Sequence, residues 1–124
     1  MHKSRLAGFI IDSRTSDLPG AAQFWSSALG MRETNTEEPP YARLDASARD
    51  LHIEVQLVDH ESRLHLDIEA TDLDAEATRL EALGAKRISF VHERWWVMEA
   101  PTGHRFCIVR AKTPDQGAGW TEWP

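Results

Sequence analysis

The residue of this sequence best suited to acid–base or metal chemistry is His65, within the alternating segment from Arg63 to Glu69. A histidine titrates near neutral pH, and a neighbouring carboxylate can orient its ring for proton transfer. Asp67 lies two residues later, so the two side chains share one face if the segment is a strand. The pair predicts either a general acid or base, or a polar group that contacts a ligand or a buried hydrogen-bond partner. The spacing leaves these alternatives open.

A second polar set occupies the predicted strand from Leu51 to Val58. Its apolar residues alternate with His52, Glu54 and Gln56, so the three polar side chains share a face. Imidazole, carboxylate and amide groups in this arrangement can bind a polar ligand. We therefore take Glu54 and Gln56 as candidate ligand-binding residues.

Cys107 and a tryptophan pair complete the candidate site residues. A nucleophilic cysteine needs a lowered pKa, and no neighbouring cation is evident in the sequence, so Cys107 is predicted to line a core or cavity. Trp95 and Trp96 lie on opposite faces of one predicted strand, so one of them is expected to face a ligand. Alternation does not say which, and we assign Trp96 to that position.

Two helices and a series of short strands must position these side chains. Helices are predicted from Leu18 to Leu29 and from Leu73 to Leu83, because each segment has helical periodicity, follows an aspartate and precedes a glycine. In the strand that carries His65, the residues Leu64, Leu66 and Ile68 are expected to form the buried face. The other predicted strands are Leu6 to Asp12, Met31 to Asn35, Tyr41 to Leu44, Lys86 to Phe90, Trp95 to Glu99 and Phe106 to Arg110.

The order of these elements repeats within the chain. A strand, a helix that ends in Ala-Leu-Gly (28–30 and 82–84) and three short strands occur twice. This repeat predicts an α+β fold of two βαβββ units, each with a helix that covers one sheet face. The alternative is a generic α+β sandwich in which the two Ala-Leu-Gly endings are coincidental.

Length and charge limit the classes of protein that fit. A chain of 124 residues with 41% apolar residues can build one domain core. Its formal charge of −6 argues against nucleic-acid binding, because no cluster of basic residues occurs. The single cysteine is typical of a reducing cytosol, and no signal peptide or membrane span is evident. We expect a cytoplasmic protein, with Trp120 or Trp123 of the tail packed on the body or on a partner subunit.

Three segments carry a family resemblance. FIIDSRTSDLPGAAQFWSSALGM, RLHLDIEATDLDAEATRLEALGAKRI and WWVMEAPTGHRFCIVR resemble, in order, the recurrent blocks of glyoxalase-like proteins of the vicinal oxygen chelate superfamily. That group includes bleomycin-resistance proteins, extradiol dioxygenases and fosfomycin-resistance enzymes. The resemblance implies two modules, at about 6–58 and 63–110, that pair into a cup-shaped, partly open mixed β-sheet barrel with helices outside. Residues 111–124 form a tail, and a homodimer is implied.

The resemblance also implies where a divalent metal would be held. The expected ligand positions fall on Gly8, Gln56, His65 and Cys107, and only His65 is the usual residue type. Gly8 has no side chain, and Cys107 stands where metal enzymes of the family usually place Glu. One histidine, one amide and one thiol form a poor site for Mg²⁺ or Mn²⁺, although zinc or nickel tolerate such donors. We therefore expect no cofactor; the candidate ligands of a divalent metal are His65, Gln56, Cys107 and Glu54, with Asp67 and His52 as further donors.

Three functional hypotheses follow from the residues and the resemblance. In the first, the protein binds a small organic molecule in the cup without the usual metal, as drug-sequestering members of the family do. The second is a lyase, isomerase or dioxygenase that depends on an unusual metal site or on His65. The third is an accessory dimerisation domain. The residues expected to contact the ligand are Gln56, His65, Asp67, Trp96, Cys107 and Glu54.

Overall fold

Strands and two helices alternate along the chain in the computed structural model, which describes residues 1–34 and 37–124. In these residues the strands are β1 (His2–Ser13), β2 (Glu33–Thr34), β3 (Tyr41–Leu44), β4 (His52–Leu57), β5 (Arg63–Ala70), β6 (Lys86–Val91), β7 (Trp95–Glu99), β8 (Arg105–Arg110) and β9 (Thr121–Trp123). The helices are α1 (Leu18–Leu29) and α2 (Leu73–Ala82), and Ser47–Arg49 form one 3-10 turn. The combination of parallel and antiparallel strands with two helices confirms the predicted α+β class. Neither α-helix has the length and hydropathy that a membrane crossing requires.

One compact unit consists of Gly8–His65. Its strands run in the order β2-β3-β4-β1, where β4 is parallel to β1 and the other neighbours are antiparallel. The chain passes from β1 to β4 through α1 and the hairpin of β2 and β3, which is the predicted βαβββ connection. The predicted strand from Met31 to Asn35 is reduced to β2, and Asn35 lies outside the described residues.

The other compact unit combines Met1–Ala7 with Leu66–Pro124. It repeats the same connection, because β5 is parallel to β8 and the antiparallel strands β7 and β6 follow in the order β5-β8-β7-β6. In addition, β9 pairs antiparallel with the first residues of β1.

Helix α1 begins and ends where the sequence predicts, and α2 begins as predicted and ends at Ala82, one residue before the predicted end, because the signals are local. The Asp17 carboxylate accepts a hydrogen bond from the backbone N–H of Gly20 at 3.0 Å, and that of Asp72 accepts one from Ala75 at 3.0 Å. Gly30 has a φ of 68°, a left-handed conformation that residues other than glycine rarely adopt. These caps set the residues at which the two helices begin and at which α1 ends.

Each unit has its own apolar core between helix and sheet. In the first, residues of β1, β3 and β4 pack beneath α1, and Trp25 borders this cluster. In the second, α2 packs on β5, β7 and β8. The buried apolar residues of the two cores are Ile11, Leu44, Ala46, Ile53 and Val55 in one unit and Ala70, Leu73, Ala77, Met98, Phe106 and Ile108 in the other.

The predicted buried face of β5 is only partly correct. Leu64 and Leu66 are 62% and 45% exposed, whereas Ile68 and Ala70 pack in the core. The reason is that α2 covers only the end of the strand that leads into it. The polar residue Asp67, in contrast, is only 8% exposed.

The C-terminal tail packs on the body, as expected from its tryptophans. His2 and Trp123 are partners in the β1–β9 ladder, and the Trp123 indole N–H donates to the Ser4 hydroxyl at 2.9 Å. The Arg79 guanidinium lies 3.7 Å from the centre of the Trp123 ring, within cation–π distance. These contacts tie the tail to β1 and α2.

Glu76 is buried beneath this tail, although its position in the first turn of α2 predicts only a favourable interaction with the helix dipole. Its carboxylate is fully inaccessible and contacts His2 Nε2 at 2.8 Å and Arg79 Nε at 2.7 Å. Burial alone would raise the pKa of Glu76, but hydrogen bonds from Arg79, His2 and Ser4 outweigh it and lower the pKa to about 2. Glu76 is therefore a buried anion within a polar network.

Candidate functional site

A polar surface forms on the side of β1 and β4 that points away from α1. In the parallel register Ile10 pairs with Glu54 and Asp12 pairs with Gln56, while the alternate residues Ile11 and Val55 are in the core under α1. The four paired residues Ile10, Asp12, Glu54 and Gln56 therefore share one face, which we call the Asp12 face. It brings the predicted residues Glu54 and Gln56 together with Asp12, which was not predicted as a site residue.

His65 is oriented by this aspartate. Its Nδ1 lies 2.7 Å from Asp12 Oδ2, and the two side chains are only 13% and 3% exposed. The Arg63 guanidinium is 3.9 Å from the same carboxylate oxygen. A buried carboxylate requires a donor, so the geometry assigns a proton to His65 Nδ1. This is the arrangement of an oriented acid–base histidine, with Asp12 in the orienting role that the sequence suggested for Asp67.

A signal for Asp12 was present in the sequence. Counting by two from Gly8 along β1 reaches Ile10 and Asp12, so a polar residue at the end of an apolar strand lies on the face that the family resemblance assigns to the site. The second oxygen, Asp12 Oδ1, is buried and has no hydrogen-bond partner among residues 1–34 and 37–124. Such an oxygen retains acceptor capacity.

Glu54 forms a pair of its own. Its Oε1 contacts His52 Nε2, two residues earlier on β4, and the Glu54 residue is only 9% exposed. On β3, Arg43 is the register partner of Glu54, and Tyr41 is the partner of Gln56. The polar rows of the Asp12 face thus continue onto β3.

Gly8 has a structural reason to be glycine. A Cβ atom built on it would overlap the backbone carbonyl of His52, its register partner on β4. Any side chain at this position would require the two strands to move apart. Position 8 is therefore unable to contribute a metal ligand, and the four-ligand set implied by the resemblance does not fit this chain.

Asp67 and Cys107 are neighbours in the other unit. They are register partners in the β5–β8 ladder, and Val97 of β7 pairs with Cys107 on the other side. By alternation, Trp95 shares the face of Val97. The predicted residues Asp67 and Cys107 thus lie on one face, with Trp95 along the same side of β7.

Trp96 lies on the opposite face, which corrects its assignment to the ligand side. Its indole N–H donates to Asp74 of α2 at 3.0 Å, and its ring packs on Phe90 with 4.8 Å between ring centres. Arg87 stacks over the same ring at 4.8 Å. The strand alternation is as predicted, but the helix side takes Trp96 because α2 offers both an apolar surface and a hydrogen-bond acceptor.

The potential metal donors are those of β5 and β8. Asp67 and Cys107 are register partners and offer a carboxylate oxygen and a thiol sulfur. A sulfur donor suits zinc, whereas Mg²⁺ and Mn²⁺ prefer oxygen ligands. Glu54, expected as a third donor, instead contacts His52.

Comparisons with known proteins agree with this architecture. A family model described as a glyoxalase-like domain matches residues 8–109. No curated protein matches the sequence. Among solved structures, the chain is similar to a methylmalonyl-CoA epimerase from Mycobacterium tuberculosis, with 18% identity, 86% of this chain and 87% of that chain covered, and a TM-score of 0.66.

Two further solved structures share the fold. A hypothetical protein from Bacillus halodurans C-125 is 13% identical, with 94% of this chain and 99% of that chain covered and a TM-score of 0.67. A methylmalonyl-CoA epimerase in complex with methylmalonyl-CoA and NH4+ is 16% identical, with 92% and 99% covered and a TM-score of 0.65. At such identities the likeness shows the fold alone.

Proposed function

The chain belongs to the glyoxalase-like domain family of the vicinal oxygen chelate superfamily, and from this premise we propose that it binds a small organic molecule through the Asp12–His65 pair. The observation that carries the proposal is the 2.7 Å contact between His65 Nδ1 and the buried carboxylate of Asp12. A histidine held in this way is an oriented group for hydrogen bonding and proton transfer. Gln56, beside Asp12 in the register, adds an amide that can donate and accept.

Binding requires no metal in this proposal. Position 8 has neither a side chain nor room for one, and Glu54 is paired with His52. The ligand class that fits the Asp12 face has a hydroxyl, N–H or acidic C–H group that can meet His65 Nε2. If this group is a proton attached to a carbon next to a carbonyl, the same pair serves as a general base, which is the second functional hypothesis.

The test is a nuclear magnetic resonance screen with a fragment set of small hydroxy acids, keto acids and amides. We expect hits to shift the His65 ring and Gln56 amide signals, and to lose at least about tenfold in affinity in His65→Gln. The matched control is His104→Gln, since His104 lies in the turn before β8 and contacts Thr102, so this variant is expected to change affinity less than twofold. Fragments that bind His65→Gln as tightly as the wild type would contradict the proposal.

Asp12→Asn tests the orienting role. The carboxamide can donate to His65 Nδ1, which moves the ring proton to Nε2 and reverses its hydrogen-bonding role. Fragments that donate to His65 should then bind more weakly, while fragments that accept should bind more tightly. A uniform change across both fragment types would indicate that Asp12 acts only on stability.

A zinc-type site is the second candidate function, favoured by the thiol of Cys107 beside the carboxylate of its register partner Asp67. Bound there, the metal would supply Lewis-acid polarisation of a ligand oxygen. Protein purified without chelator would then contain one metal per chain by elemental analysis, lost in Cys107→Ala and retained in the control His104→Ala. Protein that contains no metal as purified and still binds fragments at His65 would contradict the zinc-type site and support ligand binding without a metal.

A further inference from the structure

We propose that a small cavity at the β2–β3 end of the Gly8–His65 unit binds an anionic group, a phosphate or a carboxylate. The cavity has a volume of about 170 Å³, and we call it the Arg43 pocket. It lies between the strand ends and the 3-10 turn. Its lining consists of Arg32, Thr34, Arg43, Leu44, Asp45, Ala46 and Ser47.

The charge balance of the Arg43 pocket is positive. Asp45 is its one carboxylate in the described lining, and it is already engaged by Arg32 Nη2 at 3.1 Å and by the Ser47 hydroxyl at 2.6 Å. The Ser47 hydroxyl and backbone N–H lower the pKa of Asp45, so it is ionised and neutralises Arg32 at neutral pH. Two guanidinium groups against one carboxylate leave one positive charge in a chain whose formal charge is −6.

Arg43 supplies that charge. Its register partner across the ladder is Glu54, but the Glu54 carboxylate contacts His52 instead. Among the described residues, no carboxylate lies within ion-pair distance of Arg43. A half-buried guanidinium at a concave surface offers a planar fork of N–H donors that matches phosphate and carboxylate oxygens. The Arg43 pocket therefore has the positive charge and the N–H donors that an anion requires.

The volume of the Arg43 pocket indicates that it holds a single functional group of a ligand. Pockets that enclose a whole drug-sized ligand measure roughly 300–1,000 Å³, so a volume of about 170 Å³ fits one anionic group. Arg43 lies on β3 and Asp12 on β1, with β4 between them, which separates their backbones by roughly 10 Å. An organic acid or phosphate ester of that length would place its anion at Arg43 and its neutral end at His65. This last step rests on the proposed function, whereas anion binding at Arg43 does not.

The experiment titrates the full chain at pH 7 and constant ionic strength with inorganic phosphate, methyl phosphate, acetate and, as a reference, chloride. The signals followed are the Arg43 Nε–H group, the backbone amides of Thr34 and Ser47, and the His65 ring. We expect phosphate or acetate to shift the pocket signals saturably, with no change at His65. Methyl phosphate and acetate distinguish phosphate esters from carboxylates as the preferred group.

The variants are Arg43→Gln, Arg43→Lys and the control Arg49→Gln, which removes a nearby arginine outside the lining. We expect about tenfold weaker binding in Arg43→Gln, a smaller loss in Arg43→Lys and less than a twofold change in Arg49→Gln. Linear, unsaturated shifts with every anion, or equal affinity in Arg43→Gln, would overturn the inference. The His65 ring signal is measured independently of the pocket signals. If fragments bind at His65 but anions do not bind at Arg43, this inference is refuted and the proposed function is unaffected.

Discussion

Replacing Glu76 by Gln should remove a large, pH-dependent part of the stability. Glu76 is fully buried, and its pKa is lowered from 4.5 to about 2 in the folded protein. Lowering the pKa of Glu76 from 4.5 to about 2 corresponds to roughly 3 kcal/mol of stability at neutral pH, since a tenfold change in proton affinity is worth about 1.4 kcal/mol. Since the folded pKa is the lower one, this stability is present above pH 4.5 and is lost as the pH falls towards 2.

The assay is urea unfolding of the wild type and Glu76→Gln at several pH values between 7 and 2.5. At pH 7 the variant should be less stable by about 3 kcal/mol, equivalent to roughly 10 °C in Tm for a chain of this size. The difference in stability should shrink below pH 4.5. At these pH values Glu76 of the wild type binds a proton in the unfolded state and remains ionised in the folded state, so lowering the pH favours unfolding of the wild type. The matched control is Glu81→Gln on the same helix, which removes a solvent-accessible ion pair with Arg87 and should cost less than about 1 kcal/mol.

Two results would refute this reasoning. A stability difference that stays constant from pH 7 to pH 2.5 would mean that the amide disturbs packing, with no net contribution from the charge. A Glu76→Gln variant as stable as the wild type at pH 7 would mean that the contacts with His2 and Arg79 only repay the cost of burying the carboxylate.

Two other substitutions test the fold around the site and the tail. Gly8→Ala should destabilise the protein by about 1–3 kcal/mol in urea unfolding, because the new methyl group overlaps the His52 carbonyl; an unchanged midpoint would show that β1 and β4 separate freely. Trp123→Leu should cost about 2 kcal/mol, because it removes the cation–π contact with Arg79 and the hydrogen bond to Ser4. It should also speed amide hydrogen exchange at Ser4 more than the control Trp120→Leu does, and equal exchange in both variants would contradict the assigned role of Trp123.

The features predicted correctly from the sequence depend on nearby residues. Helix α1 runs from Leu18 to Leu29 between the caps Asp17 and Gly30, since an N-cap side chain bonds within three residues and a glycine with positive φ ends the helix locally. The repeated strand and helix pattern likewise predicted both βαβββ connections. Alternation also separated Trp95 from Trp96, although it did not say which face α2 would cover.

The features that were missed depend on contacts between distant residues. Asp12 and His65 are 53 positions apart, and His2 and Glu76 are 74 apart, so no window of sequence contains either pair. For Glu76 the sequence indicated only a favourable interaction with the helix dipole, because its partners His2 and Ser4 come from the start of β1. The exposure of Leu64 and Leu66 was missed for a related reason, since it depends on how far α2 extends over β5.

The discontinuity of one compact unit has a consequence for the order of folding. Gly8–His65 is continuous in the chain, so its core can form during synthesis as soon as residue 65 is available. The unit that joins Met1–Ala7 to Leu66–Pro124 must wait for its last strand, because the Trp123–Ser4 contact spans 119 positions. Contacts between residues so far apart in the sequence form slowly. Until Trp123 contacts Ser4, the polar partners of Glu76 are exposed to solvent. Burial of that carboxylate is therefore expected to be among the last steps of folding.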